Sequence, residues 1–141
     1  MSPATNGGPP AGPQAEVYQA ARQDKPWGHE IIFAAVEGKY VGKVIHVTAG
    51  NSLSLQYHLQ KEETISVLSG AALIEWGPSA GSLTSQHFGP GYTIHLPPGA
   101  VHRITAITDL TFAETSTAAP GWREDVVRLE DKYGRAGTSA P

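Results

Sequence analysis

Four side chains with metal-binding chemistry occur in two short, glycine-bounded segments of this chain. Gln56 and His58 are two residues apart, so on a β-strand both point to the same face. Glu63 follows a short polar turn, and His102 closes a second segment that begins at Gly91. Together the four side chains offer two nitrogens and two oxygens, which suits a divalent metal ion. We predict one such ion, with zinc as first choice for a mixed N/O set and Mn, Fe, Co or Ni as alternatives.

Two further ionisable residues have the strand parity of apolar neighbours. Lys43 shares the parity of the apolar residues that follow it, and Glu114 shares that of Leu110 and Phe112. Both are therefore predicted to point inward, as catalytic candidates. We expect Glu114 to act as a base or hydrogen-bond partner. We expect Lys43 to meet Glu63, Glu114 or a bound anion, unless a bulge turns it towards solvent.

Composition restricts the classes of protein that this chain can belong to. Its 141 residues suffice for one domain with a core, and its net charge of -3 gives no reason to expect nucleic-acid binding. Cysteine is absent, which excludes disulfides and thiolate metal sites. No apolar run approaches a membrane span, and the N-terminus has no secretory pattern. We therefore predict a cytoplasmic protein that acts on a small molecule, with no membrane partner.

The pattern along the chain is that of repeated short strands. Residues 1–22 are rich in Pro, Gly and Ala and are predicted to be a disordered tail, followed by one domain at 23–135 and a flexible end at 136–141. The predicted strands are 31–35, 40–48, 52–58, 64–68, 71–76, 92–96, 101–107 and 110–116. Residues 123–131 suit a short helix or a final strand. The fold class is all-β, as a closed or two-sheet barrel.

The spacing of these residues resembles the two motifs of the cupin family. The first segment contains Gly50, Gln56, His58, Glu63 and Gly70, separated by five, one, four and six residues. The second contains Gly91, Pro97, Gly99 and His102, separated by five, one and two residues. The resemblance implies a double-stranded β-helix, a jelly-roll-like barrel. It also implies metal ligation by the four residues that occupy the ligand positions, with Gln56 where a His is usual, and it implies a homodimer.

A narrower resemblance covers residues 25–135. The segments Lys-Pro-Trp-Gly at 25–28, Leu-Ser-Leu-Gln-Tyr-His at 53–58 and Glu-Asp-Val-Val-Arg-Leu-Glu-Asp-Lys-Tyr-Gly-Arg at 124–135 are similar to the C-terminal domain of type II mannose-6-phosphate isomerases. That resemblance implies aldose–ketose isomerisation of a sugar phosphate or a related hydroxy-carbonyl compound. Leu59, Gln60, Lys61 and Ser116 depart from the family pattern near the expected pocket.

Three cations are predicted to bind the substrate, because a sugar phosphate needs cationic partners. Lys61 and Arg103 lie next to metal-ligand positions, and Arg128 lies in the terminal motif. Solvated charges, or a salt bridge for Arg128, are the alternatives. Two other functions remain open: a metal-dependent dioxygenase, dehydratase or cyclase of secondary metabolism, and a non-catalytic module that binds a sugar or another small molecule.

Overall fold

The computed structural model describes residues 12–139, and every regular element in that range is a β-strand. The eleven strands are β1 (Ala21–Lys25), β2 (Gly28–Val36), β3 (Tyr40–Val47), β4 (Leu55–Tyr57), β5 (Glu63–Ser69), β6 (Ala72–Gly77), β7 (Thr84–Phe88), β8 (Thr93–Leu96), β9 (Val101–Ala106), β10 (Leu110–Thr117) and β11 (Val127–Glu130). They form a six-stranded sheet in the order β1-β2-β3-β10-β5-β8 and a five-stranded sheet in the order β11-β4-β9-β6-β7. All pairings are antiparallel. Within this range no helix is long and apolar enough to cross a bilayer.

One apolar core joins the two sheets. Alternate residues of each strand point inward, and apolar residues of both sheets pack into a single cluster. Its buried members are Trp27, Ile45, Val47, Ile65, Val67, Ala72, Ile74, Phe88, Leu96, Ile104, Ala106, Leu110 and Phe112. Removal of this much apolar surface from water is the main favourable contribution to folding, so the cluster holds the sheets face to face.

Strand register places the polar inward residues at one end of the barrel. Ile45 on β3, Phe112 on β10 and Val67 on β5 lie side by side in one row across the sheet, and all three are apolar. One row further along, Glu114 lies opposite Lys43, so the inward face becomes charged. The antiparallel register therefore separates the apolar core from a polar end, and that end holds the candidate site.

The strand predictions agree with the structure except at two sheet edges. Each of the eight predicted segments overlaps a strand, and 123–131 contains a turn followed by β11, not a helix. The sequence prediction missed β1 and β7. Four of the five residues of each are polar, and β1 and β7 are edge strands whose side chains are mostly exposed. Such strands lack the apolar alternation by which strands are recognised.

The two chain ends differ in part from the predicted boundaries. Residues 1–11 and 140–141 of the predicted flexible ends lie outside the described residues. Residues 12–20 are exposed and carry no regular structure, but β1 begins at Ala21, two residues before the predicted domain boundary. At the other end, the backbone N–H of Gly137 donates to the Arg128 carbonyl at 3.0 Å. Residues 136–139 are therefore held against β11.

Gly70 lies in the turn between β5 and β6, which belong to different sheets and do not pair, and it tests how closely the backbone of this turn passes Asp109. It has a φ of 87°, and a Cβ there would lie 2.0 Å from the Asp109 carbonyl oxygen. Gly38 has a φ of 76° but open space around it. Gly38→Ala should cost roughly 1–2 kcal/mol for the left-handed conformation alone. We expect Gly70→Ala to lower the free energy of unfolding in urea further, because the backbone must also shift. Equal losses in the two variants would contradict this account.

Candidate metal centre

Three buried side chains converge where β4, β5 and β9 meet at the polar end. Glu63 begins β5, His102 lies on β9, and His58 follows directly after β4. The Glu63 Oε1 atom is 3.2 Å from His58 Nε2 and 3.1 Å from His102 Nε2. The potential ligand atoms all lie within 4.8 Å of one another. This arrangement can hold a single ion.

Hydrogen bonds to main-chain carbonyls orient both imidazoles. His58 Nδ1 donates to the Asp125 carbonyl at 2.6 Å, and His102 Nδ1 donates to the Ala100 carbonyl at 3.0 Å. A carbonyl only accepts, so each Nδ1 carries the proton, and in a neutral ring Nε2 presents its lone pair. Such outer hydrogen bonds commonly fix the tautomer of a metal-ligating histidine. With both rings neutral, two lone pairs and a carboxylate oxygen therefore meet at one point, whereas a protonated ring donates a hydrogen bond from Nε2 to Glu63.

Electrostatics at this point favour an added positive charge. Burial alone would raise the pKa of Glu63, but hydrogen bonds with His102 and His58 and the charge of Lys61 hold it well below its usual range. Burial acts to lower the pKa of His102, but Glu63 raises it overall. The second carboxylate oxygen, Glu63 Oε2, is buried and has no hydrogen-bond partner within residues 12–139. A divalent cation would satisfy that oxygen and both Nε2 lone pairs, so the residues present fit a metal ion.

Gln56 lies beside the triad in the strand register. It pairs with His102 across β4 and β9, and its Oε1 accepts a hydrogen bond from the Ser54 hydroxyl at 2.7 Å. Ser54 is buried and Gln56 half-buried. The polar face of this segment therefore points inward. The role of Gln56 as fourth ligand stays a prediction.

A second set of buried charges lies next to the triad. Lys61 Nζ is 3.7 Å from Glu63 Oε2 and 3.7 Å from Glu114 Oε2. Burial acts to lower the pKa of Lys61, but Glu114 and Glu63 raise it overall. Burial and the charge of Glu63 raise the pKa of Glu114, although Lys61 and Lys43 oppose the shift. Lys61 is thus held between the Glu63 carboxylate and the Glu114 carboxyl group, which is easier to protonate than usual.

A cavity of about 380 Å³ opens beside these groups. It is lined by Gln23, Lys25, Trp27, Glu30, Ile32, Lys43, Ile45, Leu53, Ser54, Gln56, His58, Lys61, Glu114, Trp122, Arg123, Glu124, Asp125, Val126, Arg128, Arg135 and Ser139. His58 forms part of the wall, whereas Glu63 and His102 are each 2% exposed and are not in the lining. The volume is in the range of small-molecule sites.

The structure brings most of the predicted site residues to this cavity and corrects two expected contacts. Lys43 points inward, but its ion-pair partner is Glu30 at 3.4 Å, not Glu63 or Glu114. Arg103 does not line the cavity. It follows His102 on β9 and points to the opposite face, where its Nε donates to Glu75 at 2.9 Å.

Sequence reasoning missed Asp125 as a residue that positions the site. Its carboxylate accepts backbone hydrogen bonds from Leu59 at 2.7 Å, Gln60 at 2.9 Å and Lys61 at 2.9 Å. Burial would raise the pKa of Asp125, but these three N–H groups lower it overall. Asp125 thus holds the turn that joins His58 to Glu63. Its distance along the chain from His58 left no local spacing signal.

The two antiparallel sheets and the inward His–Glu–His cluster define a cupin. The architecture is matched by solved structures of low sequence identity. CapF, a capsular polysaccharide assembling protein from Staphylococcus aureus, aligns with a TM-score of 0.68 at 18% identity, over 82% of this chain and 35% of CapF. Oxalate decarboxylase from Bacillus subtilis aligns with a TM-score of 0.68 at 15% identity, over 78% of this chain and 30% of the other.

Within the cupins, the chain belongs to the family described as mannose-6-phosphate isomerase C-terminal, whose model matches residues 13–131. The alginate biosynthesis protein AlgA of Pseudomonas putida is 30% identical over 118 residues, 81% of this chain and 23% of AlgA. The mannose-1-phosphate guanylyltransferase ManC of Salmonella typhimurium is 32% identical over 113 residues, 79% of this chain and 22% of ManC. The chain thus spans less than a quarter of the length of these two relatives. The predicted fold and family are confirmed.

Metal content tests the centre directly. We expect purified protein to bind close to one divalent ion per chain, and His102→Ala to weaken binding at least roughly a hundredfold, because a ligand contributes more than an outer hydrogen bond. His87→Ala is the matched control, since His87 is exposed on β7 outside the cavity. Elemental analysis and chelator competition measure both. Equal binding by His102→Ala and the unmodified protein would exclude this centre.

Asp125→Ala tests the positioning of His58. Loss of three charge-assisted hydrogen bonds should loosen the turn at 59–61 and weaken metal binding roughly 10- to 100-fold without unfolding the protein. Glu124→Ala removes the adjacent carboxylate, which accepts no side-chain hydrogen bond among the described residues, and should leave affinity unchanged. Calorimetric titration with zinc measures both variants. An unchanged affinity in Asp125→Ala would show that the turn holds its shape without this carboxylate.

Proposed function

We propose that this chain is a divalent-metal-dependent cupin that isomerises a sugar phosphate or a related polar hydroxy-carbonyl compound. The observation that carries the proposal is the convergence of His58, Glu63 and His102 beside a cavity that also contains Glu114 and Lys61. Membership in the mannose-6-phosphate isomerase C-terminal family supports the same reaction class. A bound divalent ion would polarise the substrate carbonyl and stabilise the negative charge that develops on its oxygen.

Glu114 is the residue we propose to move the proton. Isomerisation moves a proton from one carbon to the next, which one carboxylate on the cavity wall can do, while the hydroxyl proton passes to the oxygen that was the carbonyl. Burial and the charge of Glu63 raise the pKa of Glu114. A base whose pKa lies closer to the working pH both accepts and returns a proton more effectively.

Lys61 is proposed to position Glu114 and to place a positive charge near the reacting atoms. Its Nζ lies between Glu63 Oε2 and Glu114 Oε2, 3.7 Å from each. With Lys43 paired to Glu30 on the adjacent strand, Lys61 is the nearer cation to the triad. We propose that Lys43 acts through Glu30 by holding that part of the wall rigid.

The alternatives from the sequence differ from this proposal in what they consume. A dioxygenase would require iron and oxygen, and a binding module would hold its ligand without turnover. The homodimer and the cytoplasmic location stay predictions from the sequence.

The isomerase proposal is tested by turnover of a hexose phosphate. We expect the metal-loaded protein to interconvert fructose 6-phosphate and mannose 6-phosphate, and His58→Ala to abolish this. Glu114→Gln should lower kcat roughly 10²- to 10⁴-fold, because it removes the proton-transfer group and leaves the metal ligands in place. His87→Ala serves as control and should retain full activity. A coupled spectrophotometric assay measures the rates.

Two results would contradict the proposal. The first is a metal-replete protein that turns over no hexose phosphate. The second is full activity in Glu114→Gln, which would mean that another group transfers the proton. Oxygen consumption with an iron-loaded sample would instead favour the dioxygenase alternative.

A further inference from the structure

A buried arginine without a carboxylate partner lies in the cavity wall on β11. Arg128 is 8% exposed, and its Nε atom is buried without a hydrogen-bond partner. Its NH1 donates to the Thr138 carbonyl at 3.2 Å. Across residues 12–139, no carboxylate forms an ion pair with it. A buried charge is costly unless it is paired, so this guanidinium is suited to a ligand that supplies the missing anion.

The acidic groups near Arg128 are already paired with other cations. Asp131 Oδ2 accepts Arg135 Nε at 2.8 Å, and Asp131 Oδ1 accepts Arg135 NH2 at 3.1 Å. Glu30, another carboxylate of the cavity lining, pairs with Lys43 at 3.4 Å. Both carboxylates therefore have closer partners, and burial and the charge of Arg135 lower the pKa of Arg128 overall, although the charge of Asp131 acts to raise it.

Lys25 is a second cation of the cavity wall without an ion pair within the described range. It is half-buried at the end of β1. Burial lowers its pKa, Glu30 opposes the shift, and Lys43, Arg135 and Arg128 lower the pKa further. These neighbours show that Lys25 and Arg128 lie in the same positive region. Two unpaired cations in one wall match a doubly charged anion better than a singly charged carboxylate.

Strand register gives the position of this region relative to the metal centre. Arg128 lies opposite Gln56 across β11 and β4, and Gln56 lies opposite His102 across β4 and β9. Side chains directly opposite in adjacent strands share a face. Two strand spacings place the backbones of Arg128 and His102 roughly 10 Å apart. That span is comparable to the distance between the carbonyl end and the phosphate of an open-chain hexose phosphate.

We propose that Arg128 and Lys25 form a subsite for a phosphate monoester, whose oxygens accept from the guanidinium and the ammonium. The ligand is a phosphorylated sugar whose opposite end reaches the metal centre. The identity of the sugar portion rests on the proposed function, whereas the anion subsite stands on Arg128 and Lys25 alone.

Binding of inorganic phosphate to the full chain, stripped of metal with a chelator, tests the subsite without any turnover. We expect calorimetry to detect phosphate binding that weakens with salt, and Arg128→Gln and Lys25→Gln each to weaken it roughly tenfold or more. Arg22→Gln is the matched control, since Arg22 is an exposed cation on β1 outside the cavity lining. It should leave phosphate affinity unchanged.

Each outcome supports or overturns the subsite. Undetectable phosphate binding by the unmodified protein overturns the subsite. An unchanged phosphate affinity in Lys25→Gln also overturns it. Because Lys25 is only half-buried, this variant gives a result even if Arg128→Gln fails to fold. Fructose 6-phosphate that binds no more tightly than fructose also overturns the subsite. Phosphate binding that depends on both cations, in a protein that isomerises no hexose phosphate, supports the subsite and rejects only the isomerase proposal. Turnover of a hexose phosphate with an unchanged KM in Lys25→Gln supports the isomerase proposal and overturns the subsite.

Discussion

The site depends on one buried carboxylate, Glu63, whose charge must be balanced inside the barrel. Its side chain is 1% exposed and faces two imidazole nitrogens and the ammonium of Lys61. A carboxylate removed from water is costly unless it is paired and hydrogen-bonded. The surrounding elements are arranged to satisfy this requirement. The carbonyls of Asp125 and Ala100 orient the rings, and a cation between the candidate ligand atoms would complete the balance.

The same requirement explains why the barrel has two chemically different ends. The rows of inward residues are apolar where both sheets pack together, which supplies the stability of the fold. One row further along, Lys43 and Glu114 face each other, and the cavity begins. A polar interior is tolerated only where each charge has a partner. Lys43 with Glu30 and Lys61 with two carboxylates meet this condition. Among residues 12–139, Arg128 has no carboxylate partner, and for that reason it differs from Lys43 and Lys61 in the cavity wall.

Local pattern was sufficient to predict most of the fold. β-branched and aromatic residues, with glycine or proline between the segments, predicted every strand with an alternating apolar face, and the glycine-bounded motifs predicted the three residues that converge. The edge strands β1 and β7 could not be found in this way, because an edge strand is specified by the backbone of its neighbour and not by its own apolar side chains. Strand parity predicted that Lys43 points inward, but it did not predict that Lys43 pairs with Glu30 on β2.

The sequence by itself determined the fold class, the family and the residue types of the candidate metal centre, because these depend on short-range spacing and strand periodicity. Only the tertiary structure decided which charges meet. Asp125 lies far along the chain from the turn that it holds, and Glu30 lies on a different strand from Lys43. Arg103 and His102 are neighbours in sequence but point to opposite faces of β9. The first segment, with Gln56, His58 and Glu63, predicted a metal site. The packing of distant strands around it formed a cavity whose wall contains two cations with no ion pair inside the described part of the chain.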